Sequence, residues 1–189
     1  MRSISICPIK ILDIWTRGGH DRRVVTIDSL SSPEDADAFR RLNEAWILGL
    51  FTMEAKDQES LDDPVGRYVD PGGDVLLARD DDGRVVGCVA LQPAGAGTFE
   101  LSKMTVDAAG RGRGTGRRLV EAAIERAREL GATRLFLASN HRLAAAIHLY
   151  EAAGFRHVAR EHLAPVPFVR ADVFMELALA EREPLSCAS

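Results

Sequence analysis

Apolar positions in this chain follow two periods, and the points where one gives way to the other mark its elements. A β-rich run, VVTI at 24–27, predicts a short strand. Phe39, Leu42 and Trp46 then fall at helical spacing, behind Ser32 as N-cap, Pro33 at the first helical position and Asp35 as a capping-box acid. That pattern predicts a helix running to about Phe51. Residues 56–73 are acidic, with Pro and Gly near their end, and read as a short helix or a loop. At 74–91 two β-rich runs flank Asp-Asp-Asp-Gly, the pattern of a hairpin. A loop at 92–98 precedes a strand at 99–106.

Residues 115–130 return to helical period, with Leu119, Ala123, Ile124 and Ala127 on one stripe. Residues 133–139 are mostly apolar, as a buried strand should be. A second amphipathic run, 140–155, has Asn140 at or near its N-cap and Gly154 as its stop. Residues 155–161 and 172–179 read as two last strands joined by a Pro-containing loop. The order predicts a mixed α/β fold with an antiparallel start and a strand–helix–strand unit at its centre. Residues 1–23 read as an N-terminal extension ending in a polar linker, 24–182 as one domain and 183–189 as a tail. The Ile4, Ile6 alternation suits at most an added edge strand or a homodimer contact.

Composition changes this picture little. Hydrophobic residues make up 46% and charged residues 28% of 189, ordinary for a soluble globular chain. No apolar run approaches the ~20 residues of a membrane span. Lys10 and Asp13 interrupt the N-terminal apolar run, so it reads as non-secretory. Three widely spaced cysteines, Cys7, Cys88 and Cys187, make neither a disulfide framework nor a CxxC site, which fits a reducing cytoplasm. Charge is uneven: residues 1–97 carry −6 and residues 98–189 carry +2, so the second half attracts an anion and the first a cation.

The stretch AGRGRGTGRRLVEAAIERARELG at 109–131 carries the strongest chemical signal. It follows a strand and opens a helix, where backbone N–H groups are unpaired and the dipole is positive. Gly112, Gly114 and Gly116 let the backbone approach an anion, and Arg111 and Arg113 add charge. No Gly-Lys-Ser/Thr follows, so it is not a Walker A loop, and GxGxG is not the dinucleotide fingerprint. On glycines alone, a surface turn solvated by arginines remains open.

The flanks add a resemblance. Arg111-Gly112-Arg113-Gly114-Thr115-Gly116, with ELSKMTV before it and LFLASN and AAIHLYEAAGF after it, resembles the GNAT superfamily of N-acetyltransferases over roughly residues 75–160. The N-terminal segments LNEAW and LDDP…PGGDVLLARDDDGRVVGCVAL look like a subgroup found fused to MarR-type DNA-binding domains, for which residues 1–23 are too short. The resemblance implies a mostly antiparallel central sheet flanked by helices, with a phosphate loop between strand 99–106 and helix 115–130. It implies acetyl-CoA as co-substrate, with the amides of Arg111, Gly112, Arg113, Gly114, Thr115 and Gly116 around the pyrophosphate. Met104, Thr105 and Val106 would hydrogen-bond the pantetheine arm, and the Met104 N–H would hold the carbonyl.

An amine attacks a thioester only when neutral, and an alkylamine with a pKa near 10.4 is nearly all ammonium at pH 7. The site therefore needs a base, an oxyanion donor and an acid for the thiolate. By resemblance Glu100 is the base; it could equally anchor substrate charge or pair with Lys103. Tyr150 is the acid by resemblance, or a core tyrosine on the face of Leu143 and Ile147. Asn140 points an amide at coenzyme or substrate, or caps its helix. His141 and His148 lack a carboxylate partner in sequence, and the five histidines make no metal array, so no metal is expected. Arginines at 117, 118, 126 and 128 alternate with acids and read as a solvated face, not a nucleic-acid patch.

The expected activity is acetyl transfer from acetyl-CoA to a primary amine of a small molecule or amino acid, by direct attack in a ternary complex. A non-catalytic acyl-CoA sensor and an arylamine or small-alcohol acceptor are the alternatives. No nucleic-acid or membrane partner is expected. Trp46, Phe51, Glu54, Asp57 and Tyr68 are the expected acceptor lining, suited to a cationic, partly apolar amine.

Overall fold

The hairpin expected around Asp-Asp-Asp-Gly lies inside the sheet, and both of its strands bury both faces. The structure, a computed structural model, describes residues 25–108, 110–162 and 170–179. The expected extension at 1–23, Cys7, Cys187, His20, the Pro-containing loop at 163–169 and the tail at 183–189 lie outside the described residues.

Strand β1 (Thr26–Ser29) leads to helices α1 (Pro33–Leu50) and α2 (Ala55–Asp62) and a π-helical turn, Val65–Val69. Strands β2 (Asp74–Arg79), β3 (Val85–Pro93) and β4 (Thr98–Val106) follow, then α3 (Thr115–Glu129), β5 (Arg134–Ser139) and α4 (Ala144–Ala152). Strand β6 (Arg156–His157), a 3-10 turn (Arg160–His162) and β7 (Val173–Ala178) complete the described elements. The sheet order is β1-β2-β3-β4-β5-β7-β6. Every pairing is antiparallel except β4 with β5.

Local chemistry explains the helix starts. The Ser32 hydroxyl accepts the Asp35 N–H at 3.2 Å. Asp35 in turn accepts from the Ser31 N–H and pairs with Arg79 at 2.6 Å, tying α1 to β2. The sheet separates two apolar cores. One face of β2 and β3, with Val75, Leu77, Cys88 and Ala90, packs on Phe39, Leu42 and Ile47 of α1 and on Tyr68. The other, with Leu76, Ala78, Val89 and Leu91, packs on Leu119, Val120, Ala123 and Ala127 of α3. Asp74 fixes α3 to β2 by accepting from Arg126 Nε at 2.6 Å.

Candidate active site

Strand β4 loses regular pairing at Lys103. Ala90 pairs with Ser102 and Cys88 with Thr105, so β4 carries one extra residue opposite β3. Lys103 takes a φ of +51°, the one non-glycine residue in that region among those described. The bulge reverses the strand's faces. Before it, Phe99 and Leu101 meet the α3 core and Glu100 faces the α2 side; after it, Met104 and Val106 meet the α3 core.

Beyond Glu100, β4 also parts from β5. Their parallel register runs only from Thr98↔Arg134 to Glu100↔Phe136, although β4 continues to Val106 and β5 to Ser139. The Asp107 N–H donates to Val86 O, toward β3. Successive strand amides point to opposite sides, so the N–H groups of Met104 and Val106 point into the gap beside β5. Thr105, between them, is buried and points its amide toward β3.

The glycine loop lies at the end of that gap. Gly112 and Gly114 have φ of +71° and +77°, and a Cβ on either would meet nothing within 4 Å. They are glycine for conformation and for the open space beside them. Gly116 differs: its Cβ would lie 3.2 Å from Leu149 and 3.3 Å from Met104, so it lets α3 pack against β4 and α4. Among the described residues the N–H groups of Gly112, Arg113, Gly114, Thr115 and Gly116 have no hydrogen-bond acceptor. The Thr115 hydroxyl is buried and equally unpartnered.

Charge at this helix end is unusual. The first turn of α3 has no acid, and Arg111, Arg113, Arg117 and Arg118 make no ion pair among the described residues. Cations near a helix N-terminus oppose the dipole. The arrangement becomes favourable when an anion sits there. Arg111 also donates from Nε to Val106 O at 3.1 Å, bracing the loop against β4. Of the four arginines expected on a solvated face, Arg126 and Arg128 are ion-paired to Asp74, Glu129 and Glu125, and Arg117 and Arg118 are exposed near the loop.

On the α2 side a cavity of about 160 Å³ is lined by Lys56, Glu59, Arg67, Tyr68, Glu100, Ser102 and Lys103, with Ser60 and Gln92. Burial pushes the Glu100 carboxyl above the usual glutamate range, against the pull of the Arg67 and Lys103 charges. Burial likewise pushes the Tyr68 phenol up to about 12.

The expected acceptor lining is corrected here. Asp57 is fully buried and holds Lys103 at 2.6 Å and Arg170 at 2.7 Å. Burial alone would raise its carboxyl, but the Arg170 and Lys103 hydrogen bonds outweigh that and hold it at about 2. Glu54 pairs with Arg170 at 2.9 Å. Trp46 packs on Phe51 at 5.8 Å, and Arg142 and Arg170 cover the Phe51 ring. Of the five, only Tyr68 lines the cavity.

Tyr150 lies in the α3–α4 core, ring to ring with Phe155 at 5.9 Å, across the sheet from Glu100. Burial pushes its phenol well above the usual range, so it stays protonated at neutral pH. Its hydroxyl has no hydrogen-bond partner among the described residues.

Asn140 is not the cap of α4, whose N-cap is Leu143. Its Oδ1 accepts the Arg142 N–H at 3.0 Å and its Nδ2 donates to Arg170 O at 2.6 Å. The amide therefore ties the loop after β5 to the segment before β7. The histidines do have carboxylate partners: His141 pairs with Asp172, and His148 and His157 share Glu151 at 3.2 and 3.0 Å. Among the described residues no group of three His, Cys, Asp or Glu could hold a metal ion. No helix of the described residues is long and apolar enough to cross a membrane.

Comparison with known proteins fits this geometry. The family model of the acetyltransferase (GNAT) family matches residues 37–155. An uncharacterized N-acetyltransferase of Schizosaccharomyces pombe is 31% identical over 161 residues, covering 83% of this chain and 96% of that one. A GNAT-family acetyltransferase from Staphylococcus aureus superposes with a TM-score of 0.77 at 20% identity, over 83% of this chain and 100% of that one. The Salmonella typhimurium protein yncA, solved with acetyl-CoA, superposes with a TM-score of 0.65 at 25% identity, over 87% and 99%.

Proposed function

The chain belongs to the acetyltransferase (GNAT) family, and from that premise we propose that it moves an acetyl group from acetyl-CoA to a primary amine by direct attack in a ternary complex. The observation that carries this reading is the junction of two anion- and amide-binding features. The unpartnered amides of Gly112 to Gly116 stand at the end of a gap into which the Met104 and Val106 N–H groups point. A pyrophosphate suits the first and an amide-containing arm suits the second.

Acetyl-CoA supplies an activated acyl group and a thiolate leaving group. The chain's part is to hold, orient and move protons. Glu100, with its raised pKa, takes the ammonium proton of the acceptor from the cavity side. The Met104 N–H holds the acyl oxygen. Tyr150, protonated at neutral pH, gives a proton to the departing sulfur from the other side of the sheet. Asn140 holds the Arg170 segment through its amide.

Direct transfer also suits the cysteine chemistry. Cys88, the one cysteine among the described residues, is fully buried, and burial pushes its thiol up to about 12. It is no nucleophile for an acetyl-enzyme. The wide cysteine spacing favours a cytoplasmic setting, and the N-terminal segments favour kinship with acetyltransferase parts of MarR-type fusions. Calorimetry with acetyl-CoA and free-thiol release against a panel of amines test the reading. Tight binding with amine-dependent thiol release supports it; binding without release for any amine leaves an acyl-CoA sensor instead.

A further inference from the structure

We propose that the acceptor is zwitterionic, an amine bearing a carboxylate within a few bonds, as in an α-amino acid, with Arg67 as the residue that holds the carboxylate. This deepens the acetyl-transfer reading and rests on it. The argument begins with which charges of the cavity are already satisfied. Lys103 is not available: it lies 2.6 Å from Asp57, in a fully buried pair. What remains on the wall is Lys56 and Arg67 of one sign and Glu59 and Glu100 of the other.

These four make no direct pair with one another. Among the described residues the side chains of Arg67, Glu100, Lys56 and Glu59 make no hydrogen bond or ion pair, and the Arg67 charge acts on Glu100 only through space. Glu100 and the two cations sit on different elements around the cavity. Glu100 is on the sheet, whereas Arg67 is on the π-helical turn Val65–Val69 and Lys56 on the first turn of α2.

A plain cationic amine would satisfy Glu100 and leave Arg67 and Lys56 facing its own positive charge. A simple anion would do the reverse. A zwitterion meets both, with its ammonium toward Glu100 and its carboxylate toward Arg67, whose planar fork suits a carboxylate. The cavity volume of about 160 Å³ fits a small polar head and not a folded peptide. The sequence suggests a lining suited to a cationic, partly apolar amine, because it counts Glu54 and Asp57 as free acids; both are held by Arg170.

The test uses the full chain with acetyl-CoA, an amino-acid panel, and for each the matched amino-acid amide and the decarboxylated amine. Free-thiol release gives kcat and KM. The carboxylate form should be preferred over its amide by about 10- to 100-fold in kcat/KM, the range of a charge-assisted hydrogen bond. Arg67→Gln should erase that preference by raising KM for the amino acid much more than for the amide, with coenzyme affinity unchanged. Arg67→Lys should restore part of it. Arg67 is exposed, so these variants should fold, and melting curves verify that. Lys56→Gln should act in the same direction more weakly. If amides or plain amines react as well as amino acids, or if Arg67→Gln lowers both alike, the zwitterion proposal is overturned while acetyl transfer stands. If coenzyme binds and no amine reacts, acetyl transfer itself fails and the acceptor proposal falls with it.

Discussion

The Lys103 ammonium lies 2.6 Å from Oδ1 of Asp57, a side chain with no exposed surface. This pair anchors the β4 bulge to α2, and Arg170 joins it from the segment before β7. The bulge decides which β4 side chains face the cavity and which amides face the gap, so a buried ion pair underlies the geometry of the site.

Removing its anion should be costly. Asp57→Asn removes the buried carboxylate that Lys103 and Arg170 share, while Glu54 stays on Arg170, and should destabilise the fold by about 3–5 kcal/mol. Urea unfolding at neutral pH measures this.

The same carboxyl sets an acid limit. Its folded pKa, about 2, lies below the ordinary 3.8, so its stabilisation is complete above pH ~4 and is lost as pH falls toward 2. The contribution is about 2 kcal/mol. Unfolding free energies measured between pH 5 and 2 should fall less steeply in Asp57→Asn than in the wild type.

Gly114 presents a separate prediction. A side chain there meets nothing of the protein within 4 Å, but φ of +77° is strained for a β-branched residue. Gly114→Val should weaken coenzyme binding at least about 10-fold, from 1–3 kcal/mol of backbone strain and loss of the open space. Arg113→Ala, at an exposed position, should weaken it by only about threefold. Calorimetry with coenzyme A separates the two.

Glu100 should show opposed effects on stability and rate. Burial raises its folded pKa, so the protonated form favours the fold, and that benefit is lost as pH rises through the raised value. Glu100→Gln should therefore melt higher than wild type at pH 7 and about equal to it near pH 4. Its kcat should fall by about 10²–10⁴-fold with coenzyme affinity unchanged. A tenfold rise in KM at constant kcat would instead make Glu100 a substrate anchor.

Tyr150→Phe should lower kcat by a smaller factor. That factor should shrink above about pH 8.5, where a thiolate leaves without a proton. A pH–rate profile of both proteins measures it.

Much of this was legible in the chain. The helix start at Ser32, the hairpin, the strand–loop–helix at 98–129 and the stop at Gly154 follow from capping, period and glycine chemistry, which act locally. The bulge was legible in principle: apolar positions at Phe99 and Leu101 resume at Met104 and Val106, a slip of one in a period of two. What sequence could not give was pairing at a distance. Asp57, Lys103 and Arg170 are separated by many residues, so only the fold reveals that Asp57 is neutralised. The capping role open to Asn140 fails for a related reason: the loop after β5 runs four residues before α4 begins, and the Asn140 amide bonds to Arg170 O.

Initial rates with acetyl-CoA and acceptor both varied test the central claim most directly. Direct transfer in a ternary complex predicts double-reciprocal lines that intersect, and intact-mass spectra of enzyme mixed with acetyl-CoA alone that carry no added acetyl group. Parallel lines together with a stoichiometric acetyl-enzyme would contradict the account, because they require a nucleophile that neither Glu100, Tyr150 nor the buried Cys88 supplies.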